Sequence, residues 1–458
     1  MTQAELHYRK MTQTPVERLI VSLSVPTIIS MLISNIYNLA DTYFVGSLGV
    51  SASGAVGVVF TLMTVLQAIG FMLGHGAGSV ISRLLAKQDA DAASHYASTS
   101  FFLAISVGAL FLLIGIPLID PLMRAMGSTD TILPYARNYG VYILAAAPML
   151  IASLVLNNVL RYEGMAFYAM IGLSLGAILN MVGDPIFIYG LHMGVSGAGL
   201  STALSQTVSF IVLLVLFQRH AQSRLSPRNF SANLHTIWDI LSTGFPNLFR
   251  QGLMSVSSGV LNHCAGVYGD ACVSAMAITA RCQSFMLGIA IGVCQGFQPV
   301  AGFNYQAQKY ARLRRAFRFT FLATVAILAA LGCVGLIFAP QIVSRFQSDA
   351  EVLRIGSRAL RLVSLGLVFS ALNLSPSMLF QTCGLKGRAL LLATLRGGLC
   401  FIPLLLILAP LLGVTGLQLA QPCADLLTGL LSLPFALRFF RNLPRDDLRT
   451  AADGIAAR

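Results

Sequence analysis

What most constrains this chain is the recurrence of long apolar stretches from about Leu19 to Phe440, separated only by short polar segments. A helix that crosses a bilayer needs about 20 predominantly apolar residues. In hydrocarbon every backbone N–H and C=O must also be bonded within its own segment. The composition agrees: 56% of the 458 residues are hydrophobic and 10% are charged, against roughly 25% charged in soluble domains. Turn residues and charges divide the apolar material into twelve expected spans, at roughly 18–43, 53–82, 94–121, 134–160, 166–190, 195–218, 237–263, 271–301, 316–340, 356–382, 388–410 and 414–437. The expected fold class is all-α and integral to the membrane.

The net charge of +13 forms no amphipathic stripe of the kind a nucleic-acid partner would need. The basic residues fall instead between apolar runs, where they bias topology, since Lys and Arg near span ends prefer the cytoplasmic side. With both termini inside, 21 of the 30 basic residues are cytoplasmic and only Arg124, Arg137, Arg345 and Arg354 lie outside. The segment Met1–Glu17 is polar and is not expected to be a cleaved signal. The eight Cys have no metal-type spacing and read as small apolar residues.

The polar segment 219–235 reads as a cytoplasmic linker between a leading lobe, 1–218, and a trailing lobe, 236–440, with a tail at 441–458. An internal repeat supports that division. A shift of 220 residues lays Pro26 on Pro246, Val80 on Val300, Gln88 on Gln308, Ser128 on Ser348 and Gly164 on Gly384; with one residue deleted, Gly194 and Gly197 fall on Gly413 and Gly416. Six spans per repeat is an even number, so the halves share one orientation, as in transporters built from parallel repeats.

Ionisable groups inside spans are costly and point to function. Asn35, Asn38 and Asp41 recur every three residues in the first span, near one helix face. In the fifth span Asn180 and Asp184 lie one turn apart, with Pro185 loosening the backbone beside them. Two acids in one poorly hydrated site resist simultaneous ionisation, so the set suits uptake of a proton, and the same oxygens would suit Na⁺. The alternative is that Asp41 is an outer-interface carboxylate and Asp184 a turn residue. The trailing half lacks the pair: Leu261 stands opposite Asp41 and Cys400 opposite Asn180. Its own buried candidates are Arg250, Arg281 and Asp425. Met63, Phe71, Met72, Phe285, Met286 and Phe297 could line a pliable cavity, since Met repacks around varied shapes, or could simply be core. The seven His are scattered, and no HExxH, GxSxG or Walker-type motif occurs, so neither an enzyme nor an ATP-driven pump is expected.

The chain resembles the multidrug and toxic compound extrusion (MATE) family, in particular its DinF-like branch, over nearly its whole length. The signs are VPTIISMLISNIYNLADTYFVGSLG in the first span, the RxEG turn Arg161–Gly164, NMVGDPIF in the fifth span, GVSGAGLSTALSQ opening the sixth and CQGFQPVAGFNYQAQ ending the eighth. The resemblance implies twelve transmembrane helices in two pseudo-symmetric six-helix lobes arranged as a V, alternating access, and export of cationic or amphipathic compounds in exchange for H⁺ or Na⁺. It also implies a coupling site on Asp41 and Asp184, supported by Tyr139, Asn157, Asn180 and Thr202. Pro26 is expected to bend the first helix. Asn35, Asn38, Met63, Arg250, Met286 and Gln295 are expected in the substrate cavity. Other branches carry acids in the seventh and tenth spans; this chain is expected to have none there, which argues against a cation site in the trailing lobe. A monomer in a bacterial cytoplasmic membrane, without cofactor, completes the expectation. The nearest rival is a flippase for lipid-linked precursors, which would need a more basic cavity than Arg250 and Arg281 offer.

Overall fold

In the computed structural model the chain is described over residues 3–347 and 349–444, without the side chains of residues 3, 4, 38, 39 and 50. The Asn38 side chain, the repeat landmark Ser348 and the tail from 445 therefore lie outside the described residues. A short leading helix α1 (Gln3–Gln13) precedes α2 (Val16–Gly46), α3 (Val50–Ala86) and α4 (Ala90–Gly115). The first half continues through α5 (Ile119–Ala125), α6 (Leu133–Tyr162), α7 (Ala166–Pro185), a π-helical turn (Ile186–Gly190) and α8 (Val195–His220). The second half comprises α9 (Leu234–Gly266), α10 (Asp270–Gln306), α11 (Tyr310–Ser344), α12 (Ala350–Thr382), α13 (Lys386–Thr394), a π-helical turn (Leu395–Cys400), α14 (Phe401–Leu412) and α15 (Val414–Asn442).

Eleven stretches among the described residues are long and apolar enough to cross a bilayer. The remaining expected span, the seventh, is α9, which is 33 residues long and carries Asp239 and Arg250. That corrects one expectation, because the seventh span does hold an acid. Asp239 sits in the second turn of α9 and accepts from the Tyr96 hydroxyl at 3.1 Å. The third span also ends earlier than expected: α4 stops at Gly115, ahead of Pro117, and α5 occupies 119–125. Large apolar side chains remain bare along the spans, as at Leu113 (71% exposed) and Leu411 (73%), which is the pattern lipid solvates.

The repeat is visible in the backbone. Left-handed φ occurs at Gly49 and Gly269, at Gln88 and Gln308, at Gly164 and Gly384, and at Gly194 and Gly413. Each pair keeps the offset read from the sequence. Gln88 and Gln308 are the telling pair, since a residue with a Cβ rarely adopts φ near +60°.

Each half has one buried central helix. In the first, α6 packs against α3, α4, α7 and α8; in the second, α12 packs against α10, α11, α13 and α15. Gly70, Gly74 and Gly78 make a small-residue stripe on α3 that lets α6 approach closely, as membrane helices do where dispersion contacts drive association. A Cβ on Gly70 would lie 2.7 Å from Leu154, and one on Gly74 2.8 Å from Asn158; Gly78 sits directly on the Tyr162 ring.

The compact units differ from the sequence halves in their first helices. One unit is Ile29–Leu248 with Met1–Tyr8; the other is Arg9–Ile28 with Phe249–Arg458. The leading part of α2 thus belongs with the second half, where Ser24 donates to the Val293 carbonyl at 3.2 Å and Arg312 to the Thr14 carbonyl at 2.7 Å. The leading part of α9 belongs with the first half, where Gly244 lies against Met72. Within α2 and within α9 the change of unit falls two residues beyond a proline, Pro26 or Pro246.

The linker is held in place. Buried Glu163, just past the end of α6, accepts from the Gln222 N–H at 2.5 Å, from the Ser223 N–H at 3.2 Å and from the Ser223 hydroxyl. Beyond it the linker runs along α4: the N–H groups of Arg224, Ser226 and Ser231 donate to Ser94, Ser98 and Thr99 at 2.9, 3.2 and 3.1 Å.

Candidate functional site

The polar residues of the first half converge where α2, α6, α7 and α8 meet. Asp41, near the end of α2, is buried and accepts from the Tyr139 hydroxyl of α6 at 3.3 Å to Oδ2 and 3.5 Å to Oδ1. The same hydroxyl lies 3.4 Å from Thr202 Oγ1 on α8. Asn180 of α7 then donates to Thr202 Oγ1 at 3.0 Å and to Asp184 Oδ1 at 3.3 Å. A chain of polar groups therefore runs from one acid to the other in the order Asp41, Tyr139, Thr202, Asn180, Asp184. Apart from the Asn180–Thr202 bond, its contacts are at or beyond the long end of hydrogen-bond distance, as expected of a set free to rearrange.

Local sequence explains the placement. Asn180 and Asp184 share a face because they are one turn apart on α7. Pro185 has no N–H to give the ladder, and the helix continues from it as the π turn Ile186–Gly190. That turn carries Tyr189, whose hydroxyl donates to the Phe44 carbonyl at 3.2 Å and lies 2.5 Å from Ser47 Oγ, tying the end of α7 to the end of α2.

Two acceptor atoms in the set, Asn180 Oδ1 and Asp184 Oδ2, are buried without a hydrogen-bond partner among the described residues. Buried polar atoms left unpaired are uncommon and costly. The acceptor atoms of Asp41, Thr202, Asn180 and Asp184 are all oxygens, the type that suits a hard cation or a proton rather than a transition metal.

Other expected residues fall elsewhere. The amide of Asn157 donates to the Ala169 carbonyl at 2.9 Å, in the first turn of α7, and so bonds backbone and not either acid. Met63, Met286 and Gln295 are buried, while Asn35 and Arg250 are half-buried. Arg281, by contrast, is exposed. Sequence reasoning missed Tyr37 and Ser201. Tyr37 is buried one turn before Asp41, within the field of both acids; its i, i+4 spacing was the available signal. Ser201 donates to the Asn180 carbonyl at 3.2 Å and receives its amide at 3.4 Å. A Cβ on Gly183 would lie 2.6 Å from the Ser201 hydroxyl, so that glycine is what lets α8 reach the site.

Among the described residues, long helices in two repeat-related sets, eleven of the stretches apolar enough to cross a bilayer, with a buried acid pair linked through polar groups in one set, define a multi-pass membrane protein with an internal ionisable site. The chain belongs to the MatE family, whose sequence profile matches residues 26–186 and 246–407. It is 26% identical over 437 residues to the multidrug export protein MepA of Staphylococcus saprophyticus, covering 94% of this chain and 96% of that protein. Among solved structures it superposes on an outward-facing multidrug resistance MATE transporter of the MOP superfamily, with a TM-score of 0.90 and 28% identity over 97% of this chain and 99% of that one. A MATE crystal structure in a bent conformation matches with a TM-score of 0.89 and 27% identity over 97% and 98% of the two chains.

Proposed function

We propose that this protein is a secondary antiporter that exports cationic or amphipathic small organic compounds in exchange for H⁺ or Na⁺, by alternating access. The observation that carries the reading is the relay joining Asp41 to Asp184, with unpaired oxygens on Asn180 and Asp184. The multidrug export and multidrug resistance proteins it resembles support the class of substrate.

The physical sequence is short. Two ionised carboxylates in a buried site repel each other and are poorly solvated. A proton or Na⁺ arriving from outside removes that cost; Asp41, Asp184 and the Asn180 and Thr202 oxygens would take it up as exchanged cargo. Binding it turns Asp and Asn side chains inward and pulls α2, α7 and α8 together through Tyr139 and Thr202. The shift reaches the outer ends of α2 and α7 through Tyr189. Pro26, which leaves one turn of α2 without a ladder bond, gives the helix a place to flex. A cation that weakens substrate binding must itself bind less well when substrate is present, and this reciprocity is what exchange requires. Transport of this kind needs no cofactor and makes no covalent bond. We place the monomer in a bacterial cytoplasmic membrane with both termini on the cytoplasmic side.

The test is dye export from proteoliposomes, with pH and Na⁺ gradients imposed separately. Ethidium, a lipophilic organic cation, serves as probe. One gradient is expected to drive accumulation, and Asp41→Asn or Asp184→Asn is expected to abolish it while leaving the protein in the membrane. Unchanged driven export by both variants rejects the assignment.

A further inference from the structure

The second half holds a charge pair deep in its own helices. Arg396 lies in the π turn Leu395–Cys400, ten residues past Lys386, and Asp425 lies in α15, eleven residues past Val414. At 1.5 Å per residue each is about 15 Å along its helix, well inside the spans Lys386–Leu412 and Val414–Asn442. Arg396 Nε donates to Asp425 Oδ1 at 2.7 Å and Nη2 to Oδ2 at 3.4 Å, while Gln421 donates to Oδ1 at 3.1 Å. The Asp425 side chain is 0% exposed and that of Arg396 21%. Ser257 of α9 braces the turn by donating to the Gly397 carbonyl.

The repeat gives this pair its meaning. The 220-residue offset lays Arg396 on Gly176 of α7, and the 219-residue offset that holds from Gly413 lays Asp425 on Gln206 of α8. At that level of the first half the two helices meet without charge: a Cβ on Gly176 would lie 2.7 Å from Ser209 Cβ and 3.2 Å from the Ser205 carbonyl oxygen. One turn further along, the same helix pair carries Asn180 and Thr202. Both halves thus set polar groups at the junction of the same two helices, but the second supplies its own positive charge.

We propose that Arg396 is a tethered cation, filling in the second half the kind of carboxylate site that the first half keeps for an exchangeable ion, and so confining ion exchange to the first half. This rests on the antiport reading above. A carboxylate buried at this depth requires a positive partner. A guanidinium stays charged at every physiological pH and offers a planar fork that matches a carboxylate, so the cation of this pair is fixed to the chain and cannot be exchanged. The elements packed on α15, namely α12, α13 and α14 with the adjoining π turn, bring one other acid, Glu351 in the first turn of α12, and the bases Arg354, Arg358, Arg361, Lys386 and Arg388. Arg396 is a positioning residue whose effect is on the number of ions exchanged.

The first experiment removes both first-half acids, with Asp41→Asn and Asp184→Asn, and records infrared difference spectra of the lipid-reconstituted protein between acid and alkaline pH. With Arg396 present, Asp425 is expected to contribute no protonated-carboxyl band. Arg396→Met is expected to create such a band, and adding Asp425→Asn to remove it. Because the first-half acids are gone, this result is independent of whether they couple transport; loss of dye export in Asp41→Asn or its persistence bears only on the earlier reading. In the otherwise native protein, Arg396→Met is expected to raise the number of cations exchanged per ethidium exported, and Arg396→Met with Asp425→Asn to restore the native ratio at a rate within about threefold of it, since replacing both members of a buried pair is often nearly neutral. Should Arg396→Met fail to insert, Arg396→Gln carries the same measurements. A folded single variant with no new carboxyl band overturns the proposal, as does an inserted double variant that exports nothing.

Discussion

Thr202 is the residue through which the two acids communicate, because its hydroxyl meets both Tyr139 and Asn180. Thr202→Val keeps the shape and removes that link. Both contacts are lost, and with a buried hydrogen bond worth about 1 kcal/mol the cation concentration needed for half-maximal export is expected to rise at least roughly fivefold, measured as export rate against pH or Na⁺ concentration. An unchanged midpoint would place the relay elsewhere. Asp41, Asn180 and Asp184 were legible in the sequence because carboxylates rarely sit within apolar spans, and the in-phase amides gave each a face. Ser201 was hidden because a serine in a helix is usually bonded to its own preceding turn; only the approach of α8 over Gly183 gives it a second helix to serve. Asn157 is a buried amide of the same half whose N–H bonds the first turn of α7 and neither acid.

At the scale of elements, the close approach of α3 and α6 depends on side chains that are missing. Gly78→Val would drive a branched side chain into Tyr162 and is expected to destabilise the fold by about 1–3 kcal/mol, seen as a lowered thermal midpoint in detergent. Gly252→Ala on α9, which has nothing within 4 Å, is the neutral control. The linker clamp has its own signature. Burial pushes the Glu163 carboxyl up to about 7 from 4.5, against the opposing pull of its bonds from Ser223 and Gln222. A proton held more tightly in the folded state gives stability that is complete below pH 4.5 and is lost as pH rises toward about 7. Thermal midpoints measured between pH 5 and 7.5 are therefore expected to contain a downward component that Glu163→Gln removes. Helix positions were largely readable from apolar length and turn residues. The early stop of α4 was not, because the apolar run continues past Pro117 and hydropathy alone does not register a missing N–H. Glu163 read only as part of a turn motif, since its partners lie some sixty residues on in a segment with no regular pattern.

For the whole molecule, the duplication was readable in part because positions needing left-handed backbone tolerate few residues, so Gly164 and Gly194 and their mates keep their spacing while most other residues diverge. What no local pattern could reveal is that α2 and α9 each begin in the unit of the other half. Chains 1–228 and 229–458 made separately are each expected to be degraded, and to accumulate and export ethidium only when made together; stable accumulation of either alone would contradict the assignment. The same trade has a historical side. A forerunner encoding a single repeat would have lent its opening helix to a twin and borrowed the twin's in return, so the pairing of two subunits came before the fusion that made them one polypeptide.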